Sequence, residues 1–355
     1  TNHTKEVQET CALFPQATLE LFDIVCERLP PTPSKFHYIF NLRDLSRIFE
    51  GLCLASPDEF EVGEQMVRLW RNECCRVFCD RLATEEDLNM VEGQIQRIIE
   101  EKFSAAKDAA LVDPMMFGDF RHAVARIVEE QEDPRLYEDI GGYYDVRRIF
   151  EEVLENYNME NKPMTLVLFE MALEHLTRIH RIIRMPRGNA LLVGVGGSGK
   201  QSLTRLASYC AGYKVFEISL VRNYGETEFR EDLKTLYTML GSEEVTFLFT
   251  DAHVVEEGFL EFLNNMLTTG MVPALFDEEK DQLINSVRKE VKEAGIIDTP
   301  DNCWNFFVNK CRNNMHIVLS MSPSGDKLRV RCRNFPGMVS ACVIDWFFPW
   351  PENAL

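Results

Sequence analysis

Zinc-type cysteine spacing is missing from this chain. Its 11 cysteines include no C-x-x-C pair, and the tightest group, Cys74, Cys75 and Cys79, has no histidine cluster nearby. Structural zinc sites need such clusters, so these thiols read as core side chains of a helix. Thiols used this way suit a reducing compartment. Long hydrophobic runs are missing too. No apolar stretch approaches the roughly 18 residues that a membrane helix needs, and there is no signal-peptide pattern. Positive charge is scarce: Lys and Arg number 38 against 57 Asp and Glu, which leaves a net charge of -19. A surface of that sign repels phosphate backbones and anionic lipid, so neither nucleic acid nor membrane is expected as a partner. No internal repeat is present. The chain opens on Thr1 rather than methionine, and we expect it to be an internal piece of a longer polypeptide.

What is present is ordinary globular material. The hydrophobic share of 45% and the charged share of 27% exclude a disordered or low-complexity chain. At about 100–200 residues per domain, 355 residues make two or three folding units, each able to bury a core without staples. Residues 1–185 read as helix after helix. Ser56-Pro57-Asp58-Glu59 and Thr84-Glu85-Glu86-Asp87 are helix-start signals. A further long helix is expected from Pro163, carrying Leu166, Phe169, Leu173, Leu176, Ile179 and Ile183 on one face. The acidic stretch from Glu129 to Gly142, with its Pro and Gly, marks a boundary between units. The histidines at 122, 175, 180 and 253 read as ordinary core or surface residues.

After residue 188 short apolar runs alternate with helices. The runs are Ala190–Val193, Lys214–Ile218, Val245–Phe249, His316–Met321 and Cys342–Trp346. Strands that are apolar throughout imply a parallel sheet covered on both faces, hence a three-layer α/β sandwich. The gap before the fourth strand is about 65 residues, too long for one crossover, so an insertion is expected at Gly270–Phe276 with a charged helix near Glu278–Glu293.

The sharpest motif is Gly194-Val195-Gly196-Gly197-Ser198-Gly199-Lys200, after a strand and before a helix. It fits a dinucleotide loop, with Glu217 where a ribose-binding acid belongs, and it fits a Walker A loop. Both aim backbone N–H groups at anionic oxygens. Lys200 favours the triphosphate reading, because a lysine there reaches the β- and γ-phosphates. Gln201 stands where Ser or Thr should hold Mg²⁺, and Ser202, one residue on, points elsewhere. Magnesium is therefore the weaker half of the expected pair of ATP or ADP with Mg²⁺. The third strand ends Thr250-Asp251-Ala252. Either Asp251 is the metal residue and Ala252 replaces the base, or Thr250 replaces the metal residue and Asp251 stands in as the base. In both alignments one carboxylate is missing. General-base help is worth 10²–10⁴-fold, so slow or absent hydrolysis is expected. Ser322 is the candidate γ-phosphate sensor after the fourth strand. Arg331 and Arg333 are candidates to reach a neighbouring module's nucleotide in a ring of the AAA+ type. A structural module with an empty site and a Rossmann-type NAD-binding oxidoreductase remain as alternatives.

These stretches in order resemble an axonemal dynein heavy chain over nearly the whole length. The resemblance rests on Arg187-Gly188-Asn189-Ala190-Leu191-Leu192-Val193 running into the glycine loop and on Gln201-Ser202-Leu203-Thr204-Arg205-Leu206-Ala207. It continues through Glu279-Lys280-Asp281, Asn302-Cys303-Trp304-Asn305-Phe306-Phe307 and Ile344-Asp345-Trp346-Phe347. It implies a P-loop AAA+ fold with a five-stranded parallel sheet at 189–355, the large part of the fourth motor-ring module. It implies an all-α helical lid of the third module at 1–130 and a connecting part at 131–188. Phe36-His37-Tyr38-Ile39-Phe40-Asn41-Leu42-Arg43-Asp44 looks like the family's sensor 2 segment, which would set Arg43 against nucleotide held by the third module. The resemblance further implies a regulatory nucleotide site and a cytoskeletal, ciliary or flagellar location. Its partners would be the other modules of the heavy chain, intermediate and light chains, and microtubules reached through a stalk outside this chain.

Overall fold

The computed structural model describes residues 2–129 and 133–350. Residues 130–132, inside the expected boundary stretch, and 351–355, at the end of the expected α/β part, lie outside the described residues. Two compact units form. One comprises residues 1–181 and 344–355, the other 182–343.

The first unit is mainly helical; where an all-α part was expected, Phe117–Gly118 pairs antiparallel with Glu138–Asp139. Trp70 is fully buried, stacks on Phe14 with centroids 6.1 Å apart, and donates its indole N–H to Thr18 Oγ1 at 2.9 Å. Cys74, Cys75 and Cys79 are buried thiols, and no group that could hold a metal ion exists among the described residues. Thr84 accepts the Asp87 N–H and starts Glu85–Lys102 as its sequence predicts. The other two start signals shift. Pro57 begins only a single turn, closed by the Phe60 N–H on the Ser56 carbonyl, because Val62 is extended; the helix starts at Gly63. The long helix expected from Pro163 starts at Glu170. Asn158 explains the delay: its side chain accepts from the Met164 N–H and donates to the Met164 carbonyl, holding that stretch against the Tyr143–Glu160 helix.

The second unit is built on β1 (Ala190–Val193), β2 (Lys214–Phe216), β3 (Val245–Thr250) and β4 (Met315–Met321); β5 (Val343–Trp346), of which only Val343 falls within this unit, completes a sheet in the order β2-β3-β4-β1-β5. The pairs β2–β3, β3–β4 and β1–β4 are parallel, with Leu191 and Phe249 both opposite Leu319. Every residue of β1, β3 and β4 is buried. That is why these strands read as unbroken apolar runs: helices cover both faces. The expected insertion is Lys280–Glu293 followed by a second helix, Pro300–Asn314.

Two buried features yield predictions. Glu73 has no exposed surface and accepts from Tyr137 Oη (2.8 Å), Asn72 Nδ2 (3.0 Å) and the Arg181 guanidinium. Glu73→Ala leaves Arg181 buried and unpaired, and should cost about 3–5 kcal/mol in urea unfolding, whereas Glu73→Leu with Arg181→Leu should recover most of it. His316 on β4 is 2% exposed, donates from Nδ1 toward the Gly188 carbonyl at 3.0 Å and stacks on Tyr213. Burial holds its pKa down to about 4, and the same cause holds His37 to about 4. The unfolded chain protonates these rings near pH 6.5, so it binds more protons than the folded chain between those values. Stability should be complete above about pH 6.5 and decline toward pH 4, by about 1.4 kcal/mol per pH unit per ring. His316→Gln should flatten that slope in unfolding midpoints measured against pH.

Candidate functional site

The chain leaves β1 through Gly194–Gly199 and enters the Lys200–Ala211 helix. Gly197 and Gly199 hold φ of +80° and +78°, a region side chains avoid. A Cβ on Gly196 or Gly197 would meet nothing within 4 Å, so the loop's inner face is open. The Gly194 N–H is tied to the Met321 carbonyl of β4 at 3.1 Å. The N–H groups of Gly196, Gly197, Gly199 and Lys200 have no hydrogen-bond acceptor among the described residues. They lie at the positive end of a helix whose first-turn donors have no intrahelical partner, which is a place for an anion. Lys200 is 7% exposed and sits inside this loop. Its ammonium donates to the Gly194 carbonyl (2.7 Å), the Val195 carbonyl (2.8 Å) and Ser198 Oγ (3.0 Å). Burial pulls its pKa down, and the charge of Asp251 pushes back.

Asp251 follows β3, two strands from the loop's own. Its Oδ2 accepts from the Ser322 N–H at 2.6 Å, just beyond β4, and its Oδ1 accepts from Arg331 Nη1 at 2.7 Å. Arg331 is 8% exposed and its Nη2 also donates to Glu257 Oε1 at 2.8 Å. Sequence reading missed Glu257. The available signal was the acidic pair Glu256-Glu257 in the turn between β3 and the Phe259–Thr269 helix. Arg329, Arg331 and Arg333 lie on the Lys327–Asn334 helix, where alternate residues point 200° apart. Arg331 is thereby turned inward to its own chain, whereas Arg329 pairs with Asp326 and Arg333 is exposed. The Ser322 hydroxyl bonds to Ser324 Oγ at 3.0 Å, and its backbone N–H is the part that faces Asp251. Gln201 is exposed and Ser202 half-buried. Arg43, in the other unit, is exposed at the start of Leu42–Leu52, and its N–H is capped by Asn41 Oδ1 at 2.9 Å.

These parts fit a phosphate chain: unpaired amides, left-handed glycines and an ammonium converge at one strand end. They do not fit a metal ion in this arrangement, because both Asp251 oxygens are engaged and no hydroxyl follows Lys200. A dinucleotide fits poorly as well. In that fold the first strand is flanked by the second, whereas here β1 lies between β4 and β5. Glu217, the would-be ribose acid, is held by Arg205 in a fork of 2.7 and 2.8 Å.

Comparison with known sequences agrees with this topology. A family described as the P-loop containing dynein motor region D4 matches residues 164–355, and an AAA+ lid domain family matches residues 15–113. The dynein-1-alpha heavy chain of the flagellar inner arm I1 complex from Chlamydomonas reinhardtii is 58% identical over 343 residues. This chain belongs to the dynein heavy chain family. Human dynein axonemal heavy chain 10 is 56% identical over 341 residues, and the Chlamydomonas reinhardtii flagellar outer arm beta chain is 44% identical over 344. These alignments cover 95%, 95% and 96% of the present chain, but only 7%, 8% and 7% of those dyneins. The dynein P-loop region begins ahead of β1 and includes the loop, Asp251, Ser322 and Arg331 in one segment. By family it is part of a P-loop containing dynein motor region.

The ion pairs make the dynein site's charge balance testable. Asp251 is 40% and Glu257 62% exposed at the side chain, against 9% for Arg331. Solvent screens the Glu257 bond more, so Glu257→Gln should cost under about 1 kcal/mol. Asp251→Asn should cost more, about 1–2 kcal/mol, because the buried guanidinium loses its better-shielded partner. Thermal unfolding of both variants checks the order.

Proposed function

We propose that this segment is the nucleotide-binding part of a dynein heavy chain, a microtubule motor ATPase of the ciliary or flagellar axoneme. Residues 1–130 are the helical lid of a preceding module, 131–188 the connection, and 189–355 the large α/β part of the next. The glycine loop holds ATP or ADP through its free amides, and Lys200 transfers its ammonium from loop carbonyls to the β- and γ-phosphates. The site binds and relays rather than drives. Asp251 is clamped between Arg331 and the Ser322 N–H, and the residue beside it is Ala252. Nucleotide here biases the angle between neighbouring ring modules, a hinge change that carries to microtubule affinity. Arg333, exposed, is the arginine placed to reach another module, and Arg43 belongs to the preceding module's site. Intermediate and light chains are the further partners.

The observation that carries this reading is the set of unbonded amides around Lys200 at the carboxyl end of β1. Equilibrium binding of fluorescent ATP, ADP and NADH to the 355-residue chain tests it. ATP and ADP should bind and NADH should not. Lys200→Ala should weaken ATP binding roughly 10–100-fold, the loss of one charge-assisted contact. Exchanging Mg²⁺ for a chelator should change ATP affinity by less than about tenfold, 1.4 kcal/mol. Tight ATP binding by Lys200→Ala would remove the lysine from its role. Failure of every nucleotide to bind would leave a structural ring module.

A further inference from the structure

The acid that leaves β3 at the carboxyl end of the sheet, Asp251, already has a cation. Arg331 Nη1 donates to its Oδ1 at 2.7 Å, and the Ser322 N–H donates to its Oδ2 at 2.6 Å. The guanidinium is shared with a second acid. Its Nη2 and Nε donate to Glu257 Oε1 at 2.8 and 3.1 Å. Arg331 is 8% exposed, so these two carboxylates replace the water that the guanidinium has lost. Asp251 also acts on the phosphate loop. Burial lowers the Lys200 pKa and the charge of Asp251 opposes that, so the two groups share one neighbourhood.

The chemistry of the two possible cations decides what this pairing does. Magnesium demands near-octahedral oxygen ligands, drawn from one or two carboxylates, phosphate oxygens and water. Here Gln201 follows Lys200, so no hydroxyl stands at that position, and both oxygens of Asp251 already accept hydrogen bonds. Arginine stays protonated, and its planar fork bonds two carboxylates at once. A divalent ion brought to Asp251 has to displace that fork and then lies beside a buried positive charge. Without it the local charges already match: Lys200 and Arg331 stand against Asp251 and Glu257. On the nucleotide reading above, which this assignment needs, we propose that Arg331 is the resident cation of the site. It takes the part a divalent ion would play at Asp251, and it makes the pocket select nucleotide without that ion.

Arg331→Gln removes the charge and keeps a hydrogen-bond donor. The carboxylates it frees are 40% and 62% exposed at the side chain, so water solvates them and the variant should fold. Two titrations of the 355-residue chain read the effect. One uses fluorescent ATP, with Mg²⁺ and with a chelator. The other uses manganese alone, followed by electron paramagnetic resonance. Wild type should bind ATP within about tenfold in both buffers, and should take up no manganese that Asp251→Asn loses. Arg331→Gln should bind ATP at least about tenfold more tightly with Mg²⁺ than with chelator. It should also gain a manganese site that disappears when Asp251→Asn is added. Arg331→Lys keeps the charge and should behave as wild type does. The proposal fails if wild type holds manganese through Asp251, if Arg331→Gln stays indifferent to both metals, or if Arg331→Lys acquires the metal dependence of Arg331→Gln. Should Arg331→Gln not fold, the manganese titrations of wild type and Asp251→Asn still decide. Failure of ATP to bind any of these chains overturns the nucleotide reading instead, and the manganese titrations, which need no nucleotide, then judge Arg331 by themselves.

Discussion

The first N–H groups of the Lys200–Ala211 helix have no acceptor inside their own helix, and the fold sets them at the carboxyl end of a parallel strand. The rest of the site is arranged around that unmet polarity. Gly197 and Gly199 take left-handed backbone so that neighbouring amides converge on the same space. The Gly194 amide fixes the loop to β4, so the sheet sets its position. Because β1, β4 and β3 run parallel and side by side, the segments that leave them meet at the same end of the sheet. This is how Lys200, Ser322 and Asp251 come together from distant parts of the sequence.

Charge is balanced locally in both units, although the chain as a whole is acidic. At the P-loop, Lys200 lies on carbonyl oxygens and Asp251 on Arg331 and a backbone amide. In the helical unit, Glu73 lies on Arg181, and Asp80 and Asp345 share Arg178. Desolvating such groups costs several kcal/mol each, and their pairing offsets the cost only when every oxygen finds a donor.

The pattern of residues was informative where one local rule decides the outcome. The glycine loop, the lysine after it and the apolar strands appear in the structure at or within two residues of their expected ends. Each depends on near neighbours: left-handed glycine, a helix start, burial on two faces. Helix starts failed where a distant or looped-back partner intervened. Asn158 holds Met164 out of the helix expected from Pro163, and Glu6 accepts from the Gly63 N–H at 2.9 Å where the helix expected from Ser56 begins instead.

The amino-acid order alone therefore determined the fold class, the phosphate loop and the family. Those features rest on short-range backbone geometry and on hydrophobic period, which a linear string records. Only the tertiary structure decided which way Arg331 points, that Glu257 joins Asp251 through it, and that Glu217 is taken by Arg205. Those features depend on which strand lies beside which and on how a helix is rotated. Long-range packing fixes both, and residue spacing carries no record of either.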